Sequence, residues 1–78
     1  TEYSIVNIKS FEQWVGNETV TPQAMVDAGL VKRKKLPIKI LGNGELKKAL
    51  VVQAHKFSKS AESKIQAAGG RVEVIGGA

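Results

Sequence analysis

The segment Leu36–Leu41 is hemmed in on both sides. Four consecutive cations, Lys32 to Lys35, precede it, and the turn Gly42-Asn43-Gly44 follows it. The Pro37 ring clashes with the backbone before it and keeps Leu36 out of the helical region. Ile38 and Ile40 then share one face and Lys39 takes the other, which is the period of a strand. So short a strand cannot bury its apolar face alone, and the rest of the chain must supply partners. Leu50–Ala54, apolar on both sides, reads as a central strand. Ser4–Ile8, with Ile5 set apart from Val6 and Ile8, and Arg71–Ile75 alternate as further strands.

Helical signals fall between these segments. Ser10-Phe11-Glu12-Gln13 has the form of a capping box, a hydroxyl with Gln13 three positions on. Phe11, Trp14 and Val15 lie on one face of the helical turn it predicts, which Gly16-Asn17 ends. Thr21-Pro22 starts a second helix, with a capping hydroxyl followed by proline at the first helical position. Met25 and Val26 face its core side, and Gly29 stops it. Ser58 and Ser60 compete to cap a third helix through Ala68, whose buried stripe is Ala61, Ile65 and Ala68, and which Gly69-Gly70 closes.

The predicted order is β-α-α-β-β-α-β. Helical crossovers between strands favour a mixed α/β architecture over a sandwich. At 78 residues the expectation is a single globular domain over 1–78, with 76–78 as a flexible tail. A chain of this length buries only roughly 60% of the surface its unfolded form exposes, so its stability margin is thin. An apolar fraction of 42% is enough for a core and argues against disorder. The absence of cysteine removes a disulfide framework and thiolate metal sites, and fits a reducing compartment. No apolar run approaches the ~20 residues that span a bilayer.

The net charge of +5 is unevenly laid out. Up to Val31 the only cation is Lys9, against Glu2, Glu12, Glu18 and Asp27. The other eleven cations come afterwards, against Glu45, Glu62 and Glu73. Such asymmetry points to a surface that meets a polyanion, nucleic acid being the common one. The competing reading is a solvated lysine-rich face that promotes solubility.

Enzymatic chemistry finds no support. Gly42-Asn43-Gly44 would need glycine at position 47 to complete a dinucleotide fingerprint, and Lys47 stands there; no Gly-Lys-Ser/Thr completes a phosphate loop. The segment reads as a plain turn. His55, the one histidine, cannot build a zinc site without cysteines or a suitable carboxylate set. It reads either as a polar residue at a strand end or as a contact to phosphate or base. Phe57 reads either as a core plug or as a platform for a base. With no spaced carboxylate pair and no nucleophile–base arrangement, the expectation is no catalysis, no cofactor and no metal.

KILGNGEL, VVQAHKFSKSA and IQAAGGRVEVI, in that order, with VTPQAMVDAGLVKRKK upstream, resemble one family. It is the C-terminal globular domain of bacterial large-subunit ribosomal protein fifteen, and the resemblance covers roughly Ser4 to Ile75. It implies an α/β fold: a small irregular superhelix of short strands and helices, shared with the archaeal and eukaryotic eighteen-e relative. It further implies a structural constituent of the large ribosomal subunit that binds 23S ribosomal RNA, contributes to assembly and resides in the cytoplasm on the ribosome. Neighbouring ribosomal proteins are its other partners, and neither a membrane nor a small-molecule substrate is expected. Family members carry a Gly/Arg-rich N-terminal extension, and this sequence starts at Thr1, next to the domain. The expected RNA-binding residues are Lys32, Arg33, Lys34, Lys35, Lys47, Lys48, His55, Lys56 and Lys59. The alternative is a protein–protein module whose acidic Glu2–Asp27 side docks a basic neighbour without direct RNA contact.

Overall fold

The computed structural model describes residues 2–14, 18–32 and 35–76. Among these residues, six strands alternate between two sheets. β1 (Ser4–Asn7), β3 (Ile38–Leu41) and β5 (Lys56–Phe57) form one, in that spatial order. β2 (Thr19–Val20), β4 (Val51–Ala54) and β6 (Arg71–Val74) form the other. Every pairing is parallel. The chain therefore winds as a superhelix of three irregular coils, each laying one strand in each sheet. Parallel neighbours need long crossovers, and the coil returning through the opposite sheet provides them.

Helix α1 (Pro22–Asp27) follows β2, and α2 (Lys59–Ala67) connects β5 to β6. Thr21 caps α1 as its hydroxyl accepts from the Ala24 N–H at 3.0 Å, with proline directly behind it. Ser58 wins over Ser60 as the cap of α2, accepting from the Ala61 N–H at 3.1 Å. Gly69 closes that helix at φ 89°, a backbone angle glycine reaches without steric cost.

The capping box expected at Ser10 does not open a helix. Its place is taken by a single 3₁₀ turn, Ile8–Phe11, preceded by Asn7, and Ser10 lies inside it. The reason is packing. Three residues per turn put Ile8 and Phe11 one above the other, and both are fully buried. Trp14 is half-buried and meets the Phe11 ring in a T-shaped arrangement, ring centroids 6.0 Å apart at 89°. Val15, expected on the same face, lies outside the described residues.

The core sits between the sheets. Val6, Ile38 and Ile40 come from the first, Val20, Val52 and Ala54 from the second, and Met25, Ala61 and Ile65 from the helices. β4 is the central strand of its sheet, as its two-sided apolarity predicts. Strands β2 and β5, of two residues each, carry no periodic signal and were not expected from the sequence.

Candidate nucleic-acid interface

Strand register builds a basic row on the outer face of the first sheet. Ile5 pairs with Lys39, and Lys39 with Lys56, while the next row, Val6, Ile40 and Phe57, turns inward. Parallel register partners project to the same face, so Ile5, Lys39 and Lys56 cross the sheet side by side. Phe57 is half-buried in the core-facing row, which favours its packing role. The Lys39 ammonium stands 5.9 Å from the centre of the Tyr3 ring, within cation–π range. Tyr3, Ile5 and Lys32 line one shallow depression beside it. Lys39 was not among the expected site residues. Its alternation with Ile38 and Ile40 marks it as outward-facing, but only the register brings it to Lys56.

The expected residues separate into different roles. Lys32, Lys35, Lys47, Lys56 and Lys59 are exposed and take no carboxylate partner among the described residues. Lys48 is also exposed, yet its ammonium donates to the Trp14 carbonyl at 2.6 Å and holds the chain after the 3₁₀ turn. Arg33 and Lys34 lie outside the described residues. Lys59 is the first residue of α2, where free backbone donors are expected to favour an anion. That end is partly covered, because Gly42 packs directly on Ser60 and the Ala61 nitrogen.

His55 has a structural task. It stands where the chain passes from β4 in one sheet to β5 in the other. Its N–H donates to the Ile38 carbonyl at 3.0 Å, and its Nδ1 accepts from the Ile38 N–H at 2.9 Å. Both backbone groups of Ile38 are thereby satisfied by one residue, and the ring proton resides on Nε2. Nδ1 is thus committed to the fold, and only Nε2 remains for an outside contact.

Gly42-Asn43-Gly44 is a clamped turn. The Lys64 ammonium donates to the carbonyls of Gly42 and Gly44, each at 2.8 Å, and the Lys9 N–H donates to the Asn43 carbonyl at 3.1 Å. Lys64 is therefore part of the scaffold. Lys64→Met keeps the stem and removes both bonds. It is expected to lower stability by about 1–2 kcal/mol, in the range of charge-assisted hydrogen bonds on a half-buried group. Urea unfolding checks this, and an unchanged midpoint would remove the clamp from the account.

Among the described residues no three histidine or acidic side chains converge as a metal site would require, and no helix is long and apolar enough to cross a membrane.

Comparison with known proteins agrees with this architecture. The family model that matches, over residues 5–73, describes ribosomal proteins 50S-L15 and 50S-L18e together with their 60S counterpart. Among curated relatives, the chain is 53% identical over 70 residues to the large ribosomal subunit protein uL15 of Chloroflexus aggregans (strain MD-66 / DSM 9485). It is 51% identical over 70 residues to the protein of the same name from Chloroflexus aurantiacus (strain ATCC 29366 / DSM 635 / J-10-fl). Each alignment takes in 90% of this chain and 41% of the relative, so the chain spans about two fifths of the length of these proteins. With nearly its whole length inside the family match, and with the superhelix of short strands and helices that the resemblance implies, this chain belongs to the family of ribosomal proteins 50S-L15, 50S-L18e and their 60S counterpart.

Proposed function

We propose that this domain is a structural constituent of the large ribosomal subunit that contacts 23S ribosomal RNA through its lysine-bearing face and contributes to subunit assembly. The observation that carries the reading is the row Lys39–Lys56, extended by Lys32 beside Tyr3, with no carboxylate among the described residues that line that depression. A compact core holds these cations at fixed spacing, which suits a folded polyanion whose phosphates are themselves fixed. Recognition of this kind depends on shape and backbone charge, and it needs few aromatic side chains. The expected set Lys32, Arg33, Lys34, Lys35, Lys47, Lys56 and Lys59 enters the proposal as phosphate contacts, joined by Lys39. Lys48 and His55 contribute mainly by holding the scaffold. The same family assignment favours a cytoplasmic, ribosome-bound location and a non-enzymatic role.

Titration of the domain against large-subunit RNA fragments at two salt concentrations tests this. With about four phosphates contacted, the log–log salt slope is expected near −3, from the per-phosphate values for nucleic acids. Changing Lys32, Lys35, Lys39 and Lys56 to Ser is expected to weaken binding about tenfold at physiological salt and to flatten the slope. The fold should survive, because Lys32, Lys35 and Lys56 are exposed and the half-buried Lys39 lies on the outer face of β3, opposite Ile38 and Ile40. Changing Glu2, Glu12, Glu18 and Asp27 to Ser should leave RNA binding as strong or stronger. A lysine variant that binds with the parent's affinity and slope would reduce the row to a solvated surface.

A further inference from the structure

The acidic side of the molecule carries a groove. It is open, about 840 Å³ in volume, and lies between the chain around the 3₁₀ turn and helix α1. Trp14 and Leu30 give it an apolar surface, Thr19 and Thr21 give it hydroxyls, and Glu18 and Asp27 stand in its walls. Among the described residues no lysine or arginine lines it, although twelve of the 78 residues of the sequence are cationic. Lys48, whose ammonium reaches the Trp14 backbone, is bonded to the Trp14 carbonyl. A polyanion is disfavoured here by like charge, so this surface is distinct from the lysine row.

The geometry points to a docking groove for an extended, Lys/Arg-bearing segment of a partner protein. Three features select that occupant. Charge is complementary: Glu18 and Asp27 are both exposed, and among the described residues Asp27 is engaged only through Oδ1, which accepts from Gln23 at 2.9 Å. The half-buried Trp14 offers an indole against which the aliphatic stem of a lysine or the plane of a guanidinium can lie. Thr19 belongs to β2, an edge strand of its sheet, which has no strand on its other side among the described residues. An edge of this kind accepts an added extended segment through its backbone. Tryptophan is enriched at protein interfaces for this combination of apolar area and polar tip. The inference does not rest on the RNA reading, and either can fail alone.

Fluorescein-labelled hexa-arginine, with hexaglutamate as the charge-reversed control, probes the groove by anisotropy at 0.15 M salt. Saturable binding of hexa-arginine with a shift in Trp14 emission is expected, and none of hexaglutamate. The double change Glu18→Gln and Asp27→Asn is expected to weaken binding roughly five- to tenfold, as for two exposed charge contacts. Glu45→Gln with Glu62→Gln, both outside the groove, should change it less than about twofold. Trp14→Leu keeps apolar bulk and is expected to weaken binding to a similar degree as the acidic pair, with thermal melts confirming that each variant is folded. Equal losses from the two acidic pairs would overturn the proposal in favour of diffuse charge. So would the absence of saturable binding below about 1 mM. Self-association in sedimentation that Glu18→Gln and Asp27→Asn abolish would overturn it as well, by assigning the groove to a second copy of this chain.

Discussion

Phe11→Ala is expected to destabilise the domain by about 3–5 kcal/mol, the usual cost of deleting a buried aromatic ring. Phe11 is the largest of the fully buried side chains. It is the last residue of the 3₁₀ turn, stacked over Ile8 and in T-shaped contact with Trp14. Removing it leaves a cavity in the core cluster and takes away the ring that Trp14 meets. A domain of this size has roughly 4–12 kcal/mol of total stability, so the loss takes a large part of it. The expected result in urea is a much lower midpoint with an unchanged slope, together with a red shift of Trp14 emission before unfolding. Phe11→Leu refills most of the space and is expected to cost under about 2 kcal/mol. Trp14→Ala should cost less than Phe11→Ala, since Trp14 is only half-buried. A Phe11→Ala midpoint corresponding to less than about 1 kcal/mol would mean that the turn is not the anchor proposed.

The sequence makes legible those parts of the fold that rest on local chemistry. Thr21-Pro22 and Ser58 mark helix starts because capping is satisfied within a few residues. Ile38, Lys39 and Ile40 mark a strand because alternation is visible within one segment. What stays hidden depends on distant pairing. β2 and β5 are too short for any period to show, and exist only because β4 and β3 offer backbone partners. The assignment of alternate strands to alternate sheets is visible only in the structure, since composition and periodicity carry no such information. Ser10 misleads because a capping box describes a preference, while the burial of both Ile8 and Phe11 decides the local geometry.

The candidate interface divides in the same way. Charge asymmetry identifies the basic half without structure. It does not separate Lys56, exposed on the row, from Lys48 and Lys64, whose ammonium groups hold backbone carbonyls. Nor does it find Lys39, which becomes part of the row only when β3 and β5 are set in register. That register has a visible support in His55, which bonds both backbone groups of Ile38 immediately before β5 begins. The histidine thus influences the basic row by fixing the strand that carries Lys39 beside the one that carries Lys56.

Gly70→Ala is expected to cost about 2–4 kcal/mol, the range for forcing volume into a packed site. Its φ is not positive, so the cause is space rather than backbone angle. A methyl group at Gly70 would overlap the backbone carbonyl and nitrogen of Leu50, which unlike a side-chain tip cannot swing away. Relief by movement is blocked on both sides. The Gly70 N–H donates to the Ile65 carbonyl at 3.0 Å, and the next N–H, of Arg71, donates to the Leu50 carbonyl at 3.0 Å. Making room therefore means pulling β6 from the start of β4 or unwinding the end of α2. Gly29 provides the contrast. It has φ 80° and nothing within 4 Å of an added methyl, so Gly29→Ala should show the dihedral cost alone, about 1 kcal/mol. Urea midpoints of the two variants, with amide exchange of β6 as a local readout, separate the two causes. Gly70→Ala is expected to lose more stability than Gly29→Ala and to speed exchange in Arg71–Val74. The reverse order would show that the approach of Gly70 to Leu50 is loose, and that the closing coil of the superhelix is held by α2 instead.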